Sequence, residues 1–221
     1  MNTARLHPPL GSADSGGVAL PHPAATKAAM KILVACEYSG RVRGALRDCG
    51  HSAWSCDLLP AEDGSAHHVV GDVLAMLREP WDMVVAHPPC TRLCNSGVRW
   101  LAERDLWQDM RDGAAFFVAC LNANAPRVAV ENPVMHKYAR EIVGRGPDFT
   151  VQPWQFGDPA KKRTCFWTKG LPPLRPTSDL TAADARADCH RANPGPDRWK
   201  ERSRTYPGIA RAIAEQWGCL P

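Results

Sequence analysis

A cysteine that follows two prolines is the first residue in this sequence that could do chemistry. Cys90 ends the run His87-Pro88-Pro89-Cys90, and the two prolines keep the backbone before it extended and stiff. A free thiol has a pKa of about 8.5, which a nearby cation such as Arg92 or Arg99 lowers. A thiolate on a rigid loop is a good nucleophile. The competing interpretation is a buried, inert thiol, which is the usual state of a cysteine.

A carboxylate at the end of a buried run is the second candidate. Glu131 follows residues 127–130 and precedes Asn132-Pro133, so it does not simply continue a helix. If its surroundings are partly desolvated, the pKa of Glu131 rises, which suits a group that donates a proton or a hydrogen bond to a ring nitrogen. The alternative is a structural acid that caps a helix or pairs with Arg127 or Lys137.

Further acids stand where other short apolar runs end. Asp57 follows the second run, and an acid there commonly accepts hydrogen bonds from ribose hydroxyls. Asp72 follows the third run, where a carboxylate can accept from the amino group of a purine. The turn at residues 37–40 follows the first run, and its glycine lets the backbone approach a ligand. Each acid taken alone also fits a helix cap.

These residues need a sheet to bring them together, and the sequence predicts one. Strands are expected at residues 32–36, 52–56, 68–70, 81–86 and 127–130, and an antiparallel pair at 148–154 and 164–168. Helices are expected at 41–49, at 98–123 with a break near Gly113, and at 208–217. Strands that alternate with helices indicate an α/β fold with a mostly parallel sheet, in which ligands bind at the carboxyl ends of the strands.

Composition limits the class of protein. The 221 residues are 44% hydrophobic and carry a net charge of +4, which is compatible with a nucleic-acid partner. The sequence shows no membrane-spanning run and no export signal, and its nine cysteines form no CxxC pair, so we expect reduced thiols in a cytoplasmic protein. No paired metal-ligand spacing is present, and no metal is expected. Residues 1–29 are expected to be a disordered tail before a single domain at 30–221.

The chain resembles the cytosine-C5 DNA methyltransferase family. Residues 88–97 (PPCTRLCNSG) resemble its catalytic loop, Glu131-Asn132-Pro133 its ENV motif, and residues 34–40 its first cofactor loop. Residues 156–163 (FGDPAKKR) resemble its Tyr-Gly-x-Pro-Gln-x-Arg motif, and residues 202–210 its C-terminal motif. The resemblance covers roughly residues 31–217 in the family's order, with Asp57 and Asp72 at the positions of its two cofactor acids.

The resemblance implies a Rossmann-like fold that binds S-adenosylmethionine and methylates C5 of cytosine in DNA. Cys90 would add to C6 of a base that is flipped out or unpaired, and Glu131 would hydrogen-bond N3 and the amino group. The implied catalytic residues are Cys90, Glu131 and either Lys162 or Arg163. The implied cofactor residues are Cys36, Glu37, Tyr38, Ser39, Gly40, Asp57, Leu58, Asp72, Pro88 and Ile209. The implied nucleic-acid contacts are Arg92, Ser96 and Arg99.

Three departures from the family pattern change these expectations. Thr91 stands where the family usually has Gln. The second arginine of the Gln-x-Arg-x-Arg motif is replaced by Thr164 or shifted. The sequence therefore does not decide whether Lys162 or Arg163 takes the place of the family's active-site arginine. Residues 169–201 replace a much larger target-recognition domain. We therefore expect low specificity, a separate specificity partner, or a target other than duplex DNA.

Other functions stay open at this point. Cytosine in RNA or a free pyrimidine nucleotide would suit the small size of the chain. A catalytically inactive module that only holds cofactor or DNA is also possible, although the presence of both Cys90 and Glu131 argues against it. Amino methyltransferases use Asp/Asn-Pro-Pro-aromatic at this position. The run from His87 to Cys90 has neither the carboxylate or amide nor the aromatic ring, which disfavours that activity.

Overall fold

The computed structural model describes residues 28–187, 195 and 198–220. The predicted tail at 1–29 lies outside these ranges except for Ala28 and Ala29. Part of the short insert predicted at 169–201, including Cys189 and His190, also lies outside them.

Seven strands form one sheet in the order β3-β2-β1-β4-β5-β7-β6. The first five strands run parallel to one another. Residues in β1 and β4 are almost all buried, as expected for strands that are covered on both faces. The strands are β1 (Lys31–Ala35), β2 (Ser52–Asp57), β3 (His68–Val70), β4 (Met83–Ala86), β5 (Arg127–Asn132), β6 (Phe149–Val151) and β7 (Thr164–Lys169).

The last two strands run the other way, and they confirm the predicted antiparallel pair. β7 lies between β5 and β6 and is antiparallel to both. Its pairing extends β5 beyond the predicted 127–130, because Glu131 pairs with Phe166 and Asn132 pairs with Cys165. Glu131 is therefore held inside a strand rather than placed after it. The whole sheet is the mostly parallel, Rossmann-like α/β sheet that the sequence predicts.

Helices cover both faces of the sheet, and alternate strand residues supply two separate cores. One core contains Leu33, Val84 and Val128 and packs against the helices between β2 and β6. The other contains Ile32, Val34 and Val85 and packs against the first and last helices. The helices are α1 (Arg41–Asp48), α2 (Val73–Met76), α3 (Arg99–Glu103), α4 (Trp107–Leu121), α5 (Lys137–Val143), α6 (Arg198–Ser203) and α7 (Pro207–Ala212), which continues as a π-helical turn (Ile213–Trp217).

The predicted helix break at Gly113 is wrong. The chain breaks instead between α3 and α4, where Asp105 adopts a φ of 48°. Gly113 lies inside α4, and a Cβ at this position would be 3.5 Å from Leu93 Cδ2. A side chain at position 113 would thus make an ordinary contact with the loop after Cys90, and the glycine does not end the helix.

Three findings on the described part of the chain bear on function. None of its helices is long and apolar enough to cross a membrane. No three His, Cys, Asp or Glu side chains among residues 28–187, 195 and 198–220 come together as a metal site. The eight cysteines in these ranges are all free thiols.

Candidate active site

Two neighbouring parallel strands deliver the predicted nucleophile and the predicted acid to the same edge of the sheet. β4 and β5 are paired with Ala86 opposite Val130. The residues that follow these two, His87 and Glu131, therefore lie side by side. Cys90 follows three residues after His87, on the loop that leaves β4. The sheet thus brings Cys90 and Glu131 together, as the expected carboxyl-edge location requires.

Hydrogen bonds tie the loop after β4 to the segment after β5. Asn132 is 1% exposed and donates from Nδ2 to the carbonyl oxygen of Pro88 at 2.9 Å. The ring of buried His136 donates from Nε2 to the carbonyl of Arg92 at 2.8 Å, and its backbone N–H donates to the carbonyl of Leu93 at 2.9 Å. These contacts fix the backbone on both sides of Cys90 relative to Glu131.

Glu131 is mostly buried and has an imidazole as its neighbour. Its Oε2 lies 3.3 Å from Nδ1 of His87, and the two side chains are 16% and 9% exposed. Burial by itself raises the pKa of Glu131, but the hydrogen bond from His87 and the positive charge of Lys162 outweigh it and hold the pKa below its usual value. The rise expected from the sequence is therefore not found, because desolvation is compensated by two favourable neighbours.

A pocket with an empty volume of about 260 Å³ lies beside this pair. It is walled by the ends of β4, β5 and β7 and by the start of α7, so segments far apart in the sequence meet here. The lining residues are His87, Glu131, Lys162, Thr164, Phe166, Thr205, Tyr206 and Ile209. Ile209, a predicted cofactor residue, thus shares the pocket with the predicted acid. Cys90 lies outside this lining.

The structure separates the two basic candidates that the sequence left open. Lys162 lines the pocket, acts electrostatically on Glu131 and Cys90, and donates from Nζ to the carbonyl of Arg202 at 2.8 Å. Arg163 is exposed and is not among the lining residues. Its positive charge acts on Cys165 and partly offsets the rise that burial causes in the pKa of that thiol. Lys162 is therefore the basic residue that the fold brings to the acid.

Cys90 has a second thiol as its immediate neighbour. The backbone N–H of Cys94 donates to the carbonyl of Cys90 at 3.0 Å, and the two side chains share a hydrogen bond. This bond raises the pKa of Cys90, together with burial, and lowers the pKa of Cys94 to about 5. Ser96 Oγ, 3.1 Å from Cys94 Sγ, and the backbone of Gly97 also favour the Cys94 thiolate. Removal of one proton from the pair is therefore easy, and the charge rests mainly on Cys94.

The predicted cofactor loop has an unusual backbone. Cys36 has a φ of 58°, and Gly40 has a φ of 70° at the start of α1. The Glu37 side chain is 4% exposed and accepts from the backbone N–H groups of Val42 and Arg43 at 2.6 and 3.2 Å. Glu37 is therefore committed to capping α1, and burial raises its pKa. Any ligand contact from this residue is left to its backbone.

Tyr38 and Ser39 complete this loop. The hydroxyl of Tyr38 donates to the carbonyl of Lys200 at 2.7 Å and lies 3.1 Å from Ser203 Oγ. These bonds fasten α6 over the loop between β1 and α1. The C-terminal segment is thereby held next to residues 36–40, as the family resemblance leads us to expect.

The remaining predicted cofactor residues lie along the same edge of the sheet. Asp57 ends β2 and accepts from the N–H of Leu59 at 3.0 Å, and the next side chain, Leu58, is 76% exposed. Asp72 caps α2 by accepting from the N–H of Leu74 at 2.9 Å. In each of these bonds the acceptor is Oδ1 of the aspartate. An exposed apolar side chain next to an acid at the end of β2 suits an adenosine moiety.

The predicted nucleic-acid contacts lie on the segment after Cys90. Arg92 is paired with Asp109 of α4 at 3.3 Å. Ser96 is turned toward the thiol of Cys94. The guanidinium of Arg99 lies 4.2 Å from the centre of the Trp100 ring, and Arg104 lies at the same distance. The three predicted residues thus follow the nucleophile along one exposed loop and the short helix α3.

Sequence reasoning gave no role to four residues of this site. His87 and Asn132 stand in the motifs of Cys90 and Glu131, but their partners, Glu131 and Pro88, lie 44 residues away in sequence, so no local pattern indicates these contacts. The strand register Ala86–Val130 is the signal that would have placed His87 opposite Glu131. Cys94 and Tyr206 were quoted only as letters of larger motifs.

Comparisons with known proteins find similar solved structures at low identity. An E. coli protein encoded within a prophage and assigned as a DNA modification methyltransferase is 15% identical over 74% of this chain and 55% of that chain, with a TM-score of 0.47. The Entamoeba histolytica methyltransferase EhMeth is 11% identical over 76% of this chain and 61% of that chain, with a TM-score of 0.43. The S. pombe Dnmt2 methyltransferase is 12% identical over 66% of this chain and 51% of that chain, with a TM-score of 0.41.

The chain thus spans little more than half of the length of these solved structures. No protein-family model and no curated protein matches the sequence.

Proposed function

We propose that this protein transfers a methyl group from S-adenosylmethionine to C5 of cytosine in DNA through a covalent bond between Cys90 and C6. One observation carries the proposal. The strand pair β4–β5 presents Cys90 and Glu131 at one edge of the sheet, and the bond from Asn132 to Pro88 holds their two segments together. A thiol and a carboxylate in this relation suit addition to a pyrimidine ring and stabilisation of the charge that develops on it.

The residues at the sheet edge fit S-adenosylmethionine. Asp57 suits the ribose hydroxyls, exposed Leu58 the face of the adenine, and Asp72 the adenine amino group. The backbone of residues 36–40 and the side chain of Ile209 would enclose the methionine part. S-adenosylmethionine, when bound, supplies an electrophilic methyl group to the activated carbon of the base.

The first chemical event on this chain's residues is the activation of Cys90. The Cys90 proton passes to the Cys94 thiolate, with which it shares a hydrogen bond. The electron pair of the Cys90 sulfur then forms the bond to C6. The electrons of the C5–C6 double bond move toward C5 and, through the ring, toward N3. Cytosine C5 is thereby made electron-rich.

Glu131 and Lys162 stabilise the charge that develops. Glu131 belongs to β5, so pairing with Phe166 fixes its backbone position. N3 of cytosine only accepts hydrogen bonds, so Glu131 takes a proton from water, donates it to N3 in a hydrogen bond, and accepts from the amino group with its other oxygen. Lys162 adds a positive charge at the pocket wall. After C5 is methylated, the C5 proton leaves to water, the Cys90–C6 bond breaks, and the C5–C6 double bond returns. The thiolate of Cys90 then recovers its proton from Cys94.

A base inside a duplex cannot reach this edge of the sheet, so the target must be flipped out or unpaired. Arg92, Arg99 and Ser96, on the exposed segment after Cys90, are proposed to contact the phosphates on either side of the base. The short segment at 169–201 provides little surface for reading a sequence. We include a separate specificity partner in the proposal for that reason.

Covalent trapping tests this function. The purified protein is incubated with S-adenosylmethionine and a random-sequence DNA duplex in which 5-fluorocytosine replaces cytosine, because fluorine at C5 cannot leave as a proton does. We expect an adduct that survives denaturation, and we expect Cys90→Ser to abolish it. The matched control is Cys219→Ser, an exposed thiol outside the site, which should trap normally.

Two results would overturn the function: no adduct with the wild-type protein, or an undiminished adduct with Cys90→Ser. RNA and single-stranded pools with the same fluorinated base are run alongside. If the adduct forms faster with RNA than with DNA, the proposed substrate becomes RNA.

A further inference from the structure

The imidazole of His87 has a role that the proposed reaction does not yet use. Its side chain is 9% exposed, and Nδ1 lies 3.3 Å from Glu131 Oε2. The other ring nitrogen, Nε2, is buried and has no hydrogen-bond partner among the described residues. Buried polar atoms are nearly always hydrogen-bonded, so an atom like this needs an explanation, and a ligand is one. His87 also lines the pocket beside Glu131.

The contact with Glu131 decides what Nε2 can do. A carboxylate only accepts hydrogen bonds, so Nδ1 must carry the hydrogen in this pair. A neutral imidazole that donates from Nδ1 has a lone pair at Nε2. We take the ring in its neutral form, in which Nε2 is an acceptor without a donor among the described residues. Glu37 does not bond this ring, because both of its oxygens accept from the start of α1.

Cytosine carries a donor that matches this acceptor. Its amino group at C4 has two hydrogens, and one carboxylate oxygen of Glu131 accounts for one of them. The carbonyl of Pro88 on the Cys90 loop already receives the amide of Asn132. Uracil and thymine carry a carbonyl oxygen at C4, which only accepts. An acceptor in the protein therefore favours cytosine and disfavours the other two pyrimidines.

We propose that His87 is a specificity residue: Nδ1 holds one oxygen of Glu131, and Nε2 accepts the second amino hydrogen of the target cytosine. The inference rests on the proposed function, because it places a pyrimidine in the pocket. The Nε2 atom has almost no accessible surface. The base therefore reaches it only when the side chains of the pocket move apart, and the contact belongs to the complex.

Two substitutions test the roles of the two ring nitrogens of His87 separately. His87→Asn keeps an N–H donor at about the position of Nδ1 and removes the acceptor at Nε2. His87→Gln reaches about the position of Nε2 with an amide oxygen and loses the donor to Glu131. The matched control is His51→Asn, the same change at a buried histidine that accepts from the N–H of Met30, away from the pocket. Circular dichroism and melting temperatures establish that each variant is folded.

The measurement is the ratio of two trapping rates. Each protein is incubated with S-adenosylmethionine and with random-sequence DNA that contains either 5-fluorocytosine or 5-fluorouracil. We expect a large preference for 5-fluorocytosine in the wild type and in His51→Asn. In His87→Asn we expect this preference to fall by about fivefold to tenfold, the value of one hydrogen bond to a neutral group. His87→Gln should keep the preference while both rates fall.

The outcomes distinguish the two proposals. If the wild-type protein forms no adduct with either base, the proposed function fails and the role of His87 fails with it. If the wild type traps 5-fluorocytosine and His87→Asn keeps the full preference, the methyl transfer stands and the role of His87 is wrong. If His87→Asn does not fold, a lost preference in folded His87→Gln overturns the role of Nε2, and a kept preference supports it.

Discussion

The side-chain amide of Asn132 donates to the carbonyl oxygen of Pro88 at 2.9 Å, across the boundary between two strands. This bond joins the segment that carries the carboxylate to the loop that carries the thiol. Asn132 is 1% exposed, so its amide has no solvent to replace the carbonyl. The distance between the thiol and the carboxylate therefore depends in part on this buried amide, together with the strand pairing and the two bonds from His136.

Replacement of Asn132 by Ala should slow adduct formation more than it destabilises the protein. The loss of one buried hydrogen bond costs about 1–2 kcal/mol in the free energy of unfolding. The rate should fall by about tenfold or more, since small displacements of positioned groups are costly. The control is Asn124→Ala, which removes a similar 3.0 Å bond to the carbonyl of Arg78 at a distant, exposed position. Equal effects of both variants on the trapping rate would contradict the prediction.

The thiol of Cys94 should be alkylated at nearly the same rate from about pH 6 to about pH 8, because a pKa of about 5 leaves it ionised throughout this range. Its main stabilising contact is the hydrogen bond from Cys90. In Cys90→Ser the pKa should move back toward the ordinary value, and labelling should then rise with pH. Peptide mass mapping after brief iodoacetamide treatment measures this, with exposed Cys219 as the internal reference. A steep pH dependence of Cys94 labelling in the wild type would show that the thiol pair is arranged differently.

Acid should destabilise the wild-type protein more than Glu131→Gln. The folded-state pKa of Glu131 lies below its usual 4.5, so the folded protein binds fewer protons than the unfolded chain. Its contribution to stability is therefore complete above about pH 4.5 and is lost as the pH falls through the folded-state pKa. Urea unfolding at several pH values between about 3 and about 6 measures this difference. Glu141→Gln, at an exposed position of α5, is the control and should keep the wild-type pH dependence.

Arg43 should be worth more to stability than its neighbour Arg47 on the same helix. Arg43 is 1% exposed, donates to Ser55 Oγ at 2.6 Å, and forms an ion pair with Asp63. Arg43→Ala should lower the free energy of unfolding by about 2 kcal/mol, less than for a fully buried pair because Asp63 is half exposed. Arg47→Ala removes a single 3.3 Å bond to a carbonyl and should cost under about 1 kcal/mol. Thermal unfolding of the two variants settles the order.

Much of the sheet could be predicted because its strands are short, continuous apolar runs that end at acids or turns. β3 was predicted at its observed bounds, and the other parallel strands within two residues. The end of β5 was missed because it depends on pairing with β7, a partner more than thirty residues away. The helix break was misplaced because an isolated glycine does not end a helix. Gly113 lies inside α4, and Asp105, a residue type that adopts a positive φ more readily than most, lies at the break.

The candidate site could be predicted only where single residues carry the chemistry. Cys90 and Glu131 were found from their types and their places after strands. The direction in which the pKa of Glu131 shifts was not predicted, because it depends on His87 and Lys162. These two residues reach the acid through strand register and through a loop that is distant in sequence. The side-chain bonds of Glu37 could not be predicted either: both of its oxygens accept from the start of α1, so a cofactor contact from this residue stays a prediction for its backbone.

The segment between β7 and α7 is pinned in its middle, at Arg186, and the start of α7 is pinned as well. Ala160 pairs with Arg186, and the N–H of Gly208 donates to the Asp158 carboxylate at 2.8 Å, where any Cβ would collide with the carbonyl of Phe156. Both pins lie on the stretch just before β7, next to Lys162. Residues could therefore be inserted beyond Arg186 while the pocket walls around Lys162 keep their shape.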